Sequence, residues 1–358
     1  MKTYKLLLLS LILLFSGCAK KNNAYNYNYM LSEQMYEIVR LVGDTGSLGV
    51  ANVDPNLKNA WGIAISPVGS FWISSNNKGL SVIYDRGGAA INPPVLVPSQ
   101  VSRSGGSPSG VIYNTTNDFP MPGGGGVSKF IFAQEDGTIA AWSSGDSTIT
   151  VADRSATGAV YKGIAIASDG GGNFLYLANF KGRKVDVFDS HFNIVTDKLF
   201  ADPSIPAGFG PFNIVNINGK LFVLYAKLKS PDNTEDEKGP GNGFINVFNP
   251  DGTLVQRFTS QGVLNSPWGM TLAPAGFGQG DQAYLVANSG DGLINVFNSN
   301  GSWVRQMRNV LGGMIAIDGI RGIMFPVNNE PPGDPNQLFF TAGPQSGSHG
   351  MFGYINPK

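Results

Sequence analysis

The sequence has a single cysteine, Cys18, and two histidines, His191 and His349, among 358 residues. One thiol excludes an intramolecular disulfide and a cysteine-built zinc site. Two histidines this far apart support neither a multi-histidine metal centre nor a Ser-His-Asp triad. Charge is also scarce. Asp, Glu, Lys and Arg make up 14% of the chain and balance at 25 acidic and 25 basic residues. No Lys/Arg cluster appears in the body of the chain, which argues against nucleic acid as a partner. No stretch carries a sustained helical period with caps. What the sequence has in quantity is glycine, 48 residues, and proline, 22, set between short runs of aromatic and β-branched residues. That composition points to one large all-β unit held together by its core alone.

The first residues read separately from the rest. MKTYK is basic, LLLLSLILLF is apolar but too short to span a bilayer comfortably, and Ser16-Gly17-Cys18 follows. This is the layout of a secretory signal peptide over residues 1–18. Cys18 after two small residues resembles the lipobox of bacterial lipoproteins, although Phe15 stands where Leu is commoner. The resemblance implies lipidation of Cys18 and a membrane anchor in the cell envelope. With Ala19 rather than Asp after the cysteine, it implies the outer membrane if the cell is Gram-negative. The alternative is a plain secretory signal with an incidental cysteine. Residues 19–35, polar and rich in Asn and Tyr, read as a tether, which leaves residues 36–358 for the folded domain.

Within that domain one module recurs six times. It opens on WGIAI, SGVIY, KGIAIA, PFNIV, PWGMTL and IRGIMF. Its second strands are FWISS, KFIFA, FLYLAN, LFVLYA, AYLVAN and LFFTAG. Its third strands are LSVIYD, TIAAW, KVDVFD, FINVFN, LINVFN and GMFGYI. Gly62, Gly110, Gly163, Gly269 and Gly322 set the frame, and Asn213 takes the glycine's place in the fourth module. A period of about 50 residues with three clear strands and a weaker fourth is a propeller blade. The sixth module runs out of chain before its fourth strand, while Glu37–Val42 is a spare strand at the start of the domain. The sequence therefore predicts an all-β, six-bladed β-propeller closed by an N-terminal strand, since an unclosed ring would leave sticky strand edges.

The phrases WGIAISPVGSFWISSNNKGLSVIYD and WGMTLAPAGFGQGDQAYLVANSGDGLINVFNSNG resemble the NHL-type repeat. Through DPNLKNAWGIA, EDGTIAAW, LNSPWGM and ANSGDGLINVF, the chain resembles a bacterial family of uncharacterised secreted propeller proteins. More distantly it is similar to gluconolactonase-type six-bladed propellers, a resemblance that implies a divalent metal in the central channel.

Loops entering the innermost strands share a face with the turns between second and third strands. Asn59, Asn213, Asn265 and Asp318 lie near the starts of four innermost strands. Oxygen donors converging on a channel suit Ca2+ or Mg2+, although the same residues serve equally as Asx-turns that start strands. Trp61, Tyr161, Phe212 and Trp268 are candidates for stacking on a flat ligand, or else for plugging the channel. The carboxylate pair Glu135-Asp136 sits in a turn, and the long charged segment 227–243 is placed to lid the channel mouth. Two functions are expected from this pattern. The first is a monomeric, membrane-anchored envelope propeller that binds a small molecule or an envelope protein. The second is a divalent-metal-dependent hydrolase such as a lactonase.

Overall fold

The computed structural model describes residues 34–99, 105–278, 282–326 and 334–358. Cys18, the signal segment and tether residues 19–33 lie outside the described residues.

The six modules form six small sheets, antiparallel apart from short parallel pairings at the edge of the last, laid down in chain order. Blade I is Ala60–Ile65, Phe71–Ser75, Leu80–Tyr84 and Val95–Leu96. Blade II is Pro108–Tyr113, Phe130–Gln134, Thr138–Trp142 and Ile149–Asp153. Blade III is Tyr161–Ser168, Asn173–Asn179, Lys184–Phe188 and Ile194–Val195. Blade IV is Phe209–Ile217, Lys220–Lys227, Gly243–Phe248 and Leu254–Ser260. Blade V is Pro267–Leu272, Tyr284–Asn288, Ile294–Phe297 and Trp303–Gln306. Each innermost strand packs on the next, and that of blade VI packs on that of blade I, so the sheets close into a ring.

Blade VI is composite. Ile320–Met324, Leu338–Ala342 and Met351–Pro357 come from the end of the chain, and Met35–Gly43 supplies the outer strand. The closing strand runs antiparallel to Met351–Pro357, from Tyr36 opposite Pro357 to Gly43 opposite Met351. It extends one residue beyond the predicted Glu37–Val42 at each end, plus a further one at its start. Tyr36 is fully buried, and its hydroxyl donates to the Phe277 carbonyl of blade V at 2.8 Å. Tyr36→Phe removes that donor and leaves the ring in place. It is expected to lower stability by about 1 kcal/mol, read as a shift in the urea unfolding midpoint.

Aromatic residues from adjacent blades fill the seams. Phe71 of blade I meets Phe339 and Phe352 of blade VI at centroid distances of 4.3 and 5.3 Å. Trp72 stacks on Phe130 of blade II at 3.9 Å. The core is therefore a set of layers between blades, and the axis of the ring is left to whatever side chains the innermost strands turn inward.

Candidate functional site

What reaches the axis is decided by a repeated backbone irregularity. Every innermost strand carries a register shift against its partner strand, and all six shifts fall beside the frame residue. A bulge re-aims a side chain that regular alternation would bury in the sheet. The residue immediately before the frame position is, blade by blade, Trp61, Ser109, Lys162, Phe212, Trp268 and Arg321.

Five of these meet in the channel. Trp61 lies edge-on to Phe212 of the opposite blade at 6.0 Å and to Trp268 at 5.8 Å. Lys162 Nζ sits 5.0 Å from the Trp61 ring centre, and the Arg321 guanidinium carbon 4.0 Å from it. Trp268 Nε1 donates to the Lys162 carbonyl at 3.2 Å. Ser109 donates instead to the Tyr161 carbonyl at 2.7 Å. A contact between opposite blades means that the channel is shut at this level.

The plug is also a charge cluster. The Lys162 side chain is wholly buried and forms ion pairs with Glu135 and, at 3.1 Å, with Glu235. Burial by itself would lower the Lys162 ammonium, but the charges of Glu135 and Glu235 outweigh it and hold the group above an ordinary lysine. Burial pulls the Arg321 guanidinium below its usual range against the opposing charges of Asp236, Glu135, Glu235 and Asp318. Glu135 also accepts from Asn76 Nδ2 at 3.0 Å. Its neighbour Asp136 is occupied by the Ser99 and Thr138 hydroxyls at 2.7 and 2.6 Å. Glu235 arrives on the segment between Lys220–Lys227 and Gly243–Phe248. That segment folds back on itself through Lys229 N–Glu235 O and Glu237 N–Lys227 O, both 2.8 Å. It covers the plug from the face predicted to bind ligands.

The oxygen donors proposed for Ca2+ or Mg2+ do not form a cage. Asn213 Oδ1 accepts from the Ile214 N–H at 2.8 Å, and its Nδ2 donates to the Trp268 carbonyl at 2.7 Å. Asn265 Oδ1 accepts from Gly239 N at 2.7 Å, and Asp318 Oδ2 from Gln345 N at 2.7 Å. Asn59 donates to Asn76 and Asn77 at 3.0 and 3.1 Å, and packs on the backbone of Gly343. Each of the four ties a loop to its own seam, and among the described residues no three His, Cys, Asp or Glu side chains gather as a metal site.

The stacking candidates divide as well. Trp61, Phe212 and Trp268 are buried against one another and offer no free ring face. Tyr161 is not with them. It lies in the layer between blades II and III, where its hydroxyl donates to Asp186 at 3.0 Å and burial pushes the phenol far up. The residue that corresponds to the tryptophans is Lys162, one position later. The glycine frame carried that signal, and counting from the strand start missed it.

Beyond the plug the channel widens into a cavity of about 740 Å³, open on the face of the first-to-second-strand turns. Ile63, Ile65, Val111, Ile166, Val215 and Met324 are among the side chains that line it, with Thr271 and Tyr113 toward the mouth. Among the lining residues there is no Asp, Glu, His, Lys, Arg or Cys.

No family model matches the sequence. An uncharacterized protein of Acanthamoeba polyphaga mimivirus is 35% identical over 316 residues, covering 85% of this chain and 76% of its own. A second from the same virus is 37% identical over 321 residues, covering 85% and 82%. The chain belongs to the family of these two viral proteins. Among solved structures, a streptogramin B lyase superposes with a TM-score of 0.53 at 12% identity, over 92% of this chain and 99% of its own. A protein of unknown function from Bacteroides thetaiotaomicron does so with 0.56 at 10% identity, over 91% and 74%. At such identities the likeness extends to the six-bladed fold. The two viral relatives are uncharacterized, and what the solved structures share with the chain is the fold.

Proposed function

We propose that this protein is an envelope-anchored propeller that binds an uncharged, largely apolar small molecule in its central channel. One observation carries the reading: a cavity of about 740 Å³ whose lining holds no acidic, basic, imidazole or thiol side chain. Small-molecule pockets span roughly 300–1,000 Å³ and are mostly apolar with a few polar groups. For acid–base work the lining offers one phenol, Tyr113, and no carboxylate, imidazole, amine or thiol. A hydrolase reading would have to use the plugged end, where three of the four candidate oxygens are already engaged by backbone N–H groups and Lys162 by carboxylates. The anchor is supported by Cys18 after Ser16-Gly17. The bacterial setting rests on that segment, because the matched relatives are viral.

The test is a titration with an uncharged solvatochromic dye such as Nile red. Saturable binding with a blue-shifted emission is expected, and Thr271→Asp should weaken it at least about tenfold, because a charge at the mouth must be desolvated by an apolar ligand. Absence of saturable binding, or a Thr271→Asp variant that binds as well as the parent, would sink the reading.

A further inference from the structure

Asn309 and its neighbours build a feature that the channel does not use. After blade V the chain forms a short hairpin in which Arg308 faces Met314. The turn is held rigidly. Asn309 N donates to Gly313 O and Gly312 N to Asn309 O, both at 2.8 Å. Asn309 Oδ1 accepts from Leu311 N at 2.9 Å and Gly313 N at 3.1 Å. Arg308 Nη1 caps Gly312 O at 2.7 Å. On this turn the exposed side chains are apolar. Leu311 is 91% exposed, Val310 54% and Met314 51%.

Two further observations bear on the surroundings of this tip. From Asn298 to Ile317 the sequence has Arg305 and Arg308 and no acidic residue. The hairpin also lies where the closing strand begins, with Arg308 and Asn309 paired in parallel with Met35 and Tyr36. The start of the closing strand, toward the Cys18 end of the sequence, therefore lies at the foot of this hairpin.

We infer that the 308–314 hairpin is a membrane-contacting edge that seats the anchored propeller on an anionic bilayer surface, an inference that rests on the anchor reading at Cys18. An apolar tip flanked by arginine is the chemistry of the headgroup boundary. A turn that satisfies its own backbone groups enters that region at low cost. A single lipid-linked residue fixes distance from the membrane but not orientation, and the hairpin supplies the second contact.

The experiment uses the full chain, purified in its lipidated form. Leu311→Cys and Val68→Cys, the latter 82% exposed in a first-to-second-strand turn, are each labelled with a fluorophore. The proteins are reconstituted into vesicles of phosphatidylethanolamine and phosphatidylglycerol with brominated acyl chains. Quenching several-fold stronger at position 311 than at position 68 is expected. Equal quenching, or a probe at 311 that is shielded from water yet not quenched by lipid, as a protein partner would produce, overturns the proposal. The anchor is checked separately by the mass of the N-terminal peptide. An unacylated Cys18 refutes the anchor alone. The measurement is then repeated with the vesicles added to Cys18→Ser variants, where persistent quenching at 311 sustains the surface and its loss overturns it.

Discussion

Gly62→Ala is expected to destabilise the protein by about 3 kcal/mol, toward the upper end for overpacking a core. A Cβ at Gly62 would lie 2.6 Å from both Ser109 O and Val111 N of blade II. These are backbone atoms of an innermost strand and have no rotamer to yield. The same approach recurs around the ring. A Cβ at Gly110 would be 2.9 Å from Ile164 N, at Gly163 2.8 Å from Asn213 Cα, and at Gly269 2.2 Å from Arg321 O. At Gly322 it would be 3.0 Å from Trp61 O. The frame glycines therefore set the blade spacing, and a methyl group at one of them opens a seam in a closed ring. Gly46→Ala is the control, since its only neighbour within 4 Å is Val53 at 3.9 Å. It should stay within about 0.5 kcal/mol of the parent. Urea midpoints for the three proteins decide the matter, and a Gly62→Ala midpoint close to the parent's would refute the steric account.

Lys162→Met is the second large effect, at about 3 kcal/mol, the low end for stripping a buried ion pair of one partner, because the carboxylates left behind keep part of their contact with water. Methionine keeps most of the volume beside Trp61, so the loss is mainly electrostatic. Glu135, with 20% of its side chain exposed, keeps the Asn76 hydrogen bond but loses its cation. Lys162→Met/Glu135→Gln should recover part of the loss, since the less exposed carboxylate is then no longer left without its cation and only Glu235, 58% exposed, remains unpaired. The pH dependence has a defined sign. The folded-state value of Lys162 is raised, so its contribution is complete below the unfolded lysine value of about 10.4 and is lost as pH rises through the folded value. Parent and Lys162→Met should thus differ most in neutral solution and converge in strong alkali. A gap that stays constant into alkali would show that packing, not charge, holds the plug.

The architecture was legible because it is written six times. Spacing, strand alternation and the frame glycines each point to blades, and a missing last strand beside a spare first one points to the closure that Met35–Gly43 makes. The site was less legible because it depends on the bulges. Position near the strand start groups Tyr161 with Trp61 and Trp268, but a slip of one residue sends a side chain to the other face. Tyr161 went into a seam and Lys162 into the channel. Likewise, the residue types at Asn59, Asn213, Asn265 and Asp318 suit a metal and a strand-starting turn equally well. Only the positions of Gly239, Ile214 and Gln345 N–H groups reveal which use is made of three of them. The open cavity lay on the face that sequence reasoning did not favour, since its lining is the ordinary apolar sequence of innermost strands.

The ring of bulges assigns one residue per blade to the level of the plug, and the rest of each innermost strand lines the cavity or fills the seams. Aperture and scaffold are consequently separate variables. Five positions act like the leaves of an iris, and a small residue at position 61 would remove the leaf that meets the other four. Relatives that share this scaffold are free to differ in whether their axis is a dead-end pocket or a through-going pore, and in the charge of whatever passes.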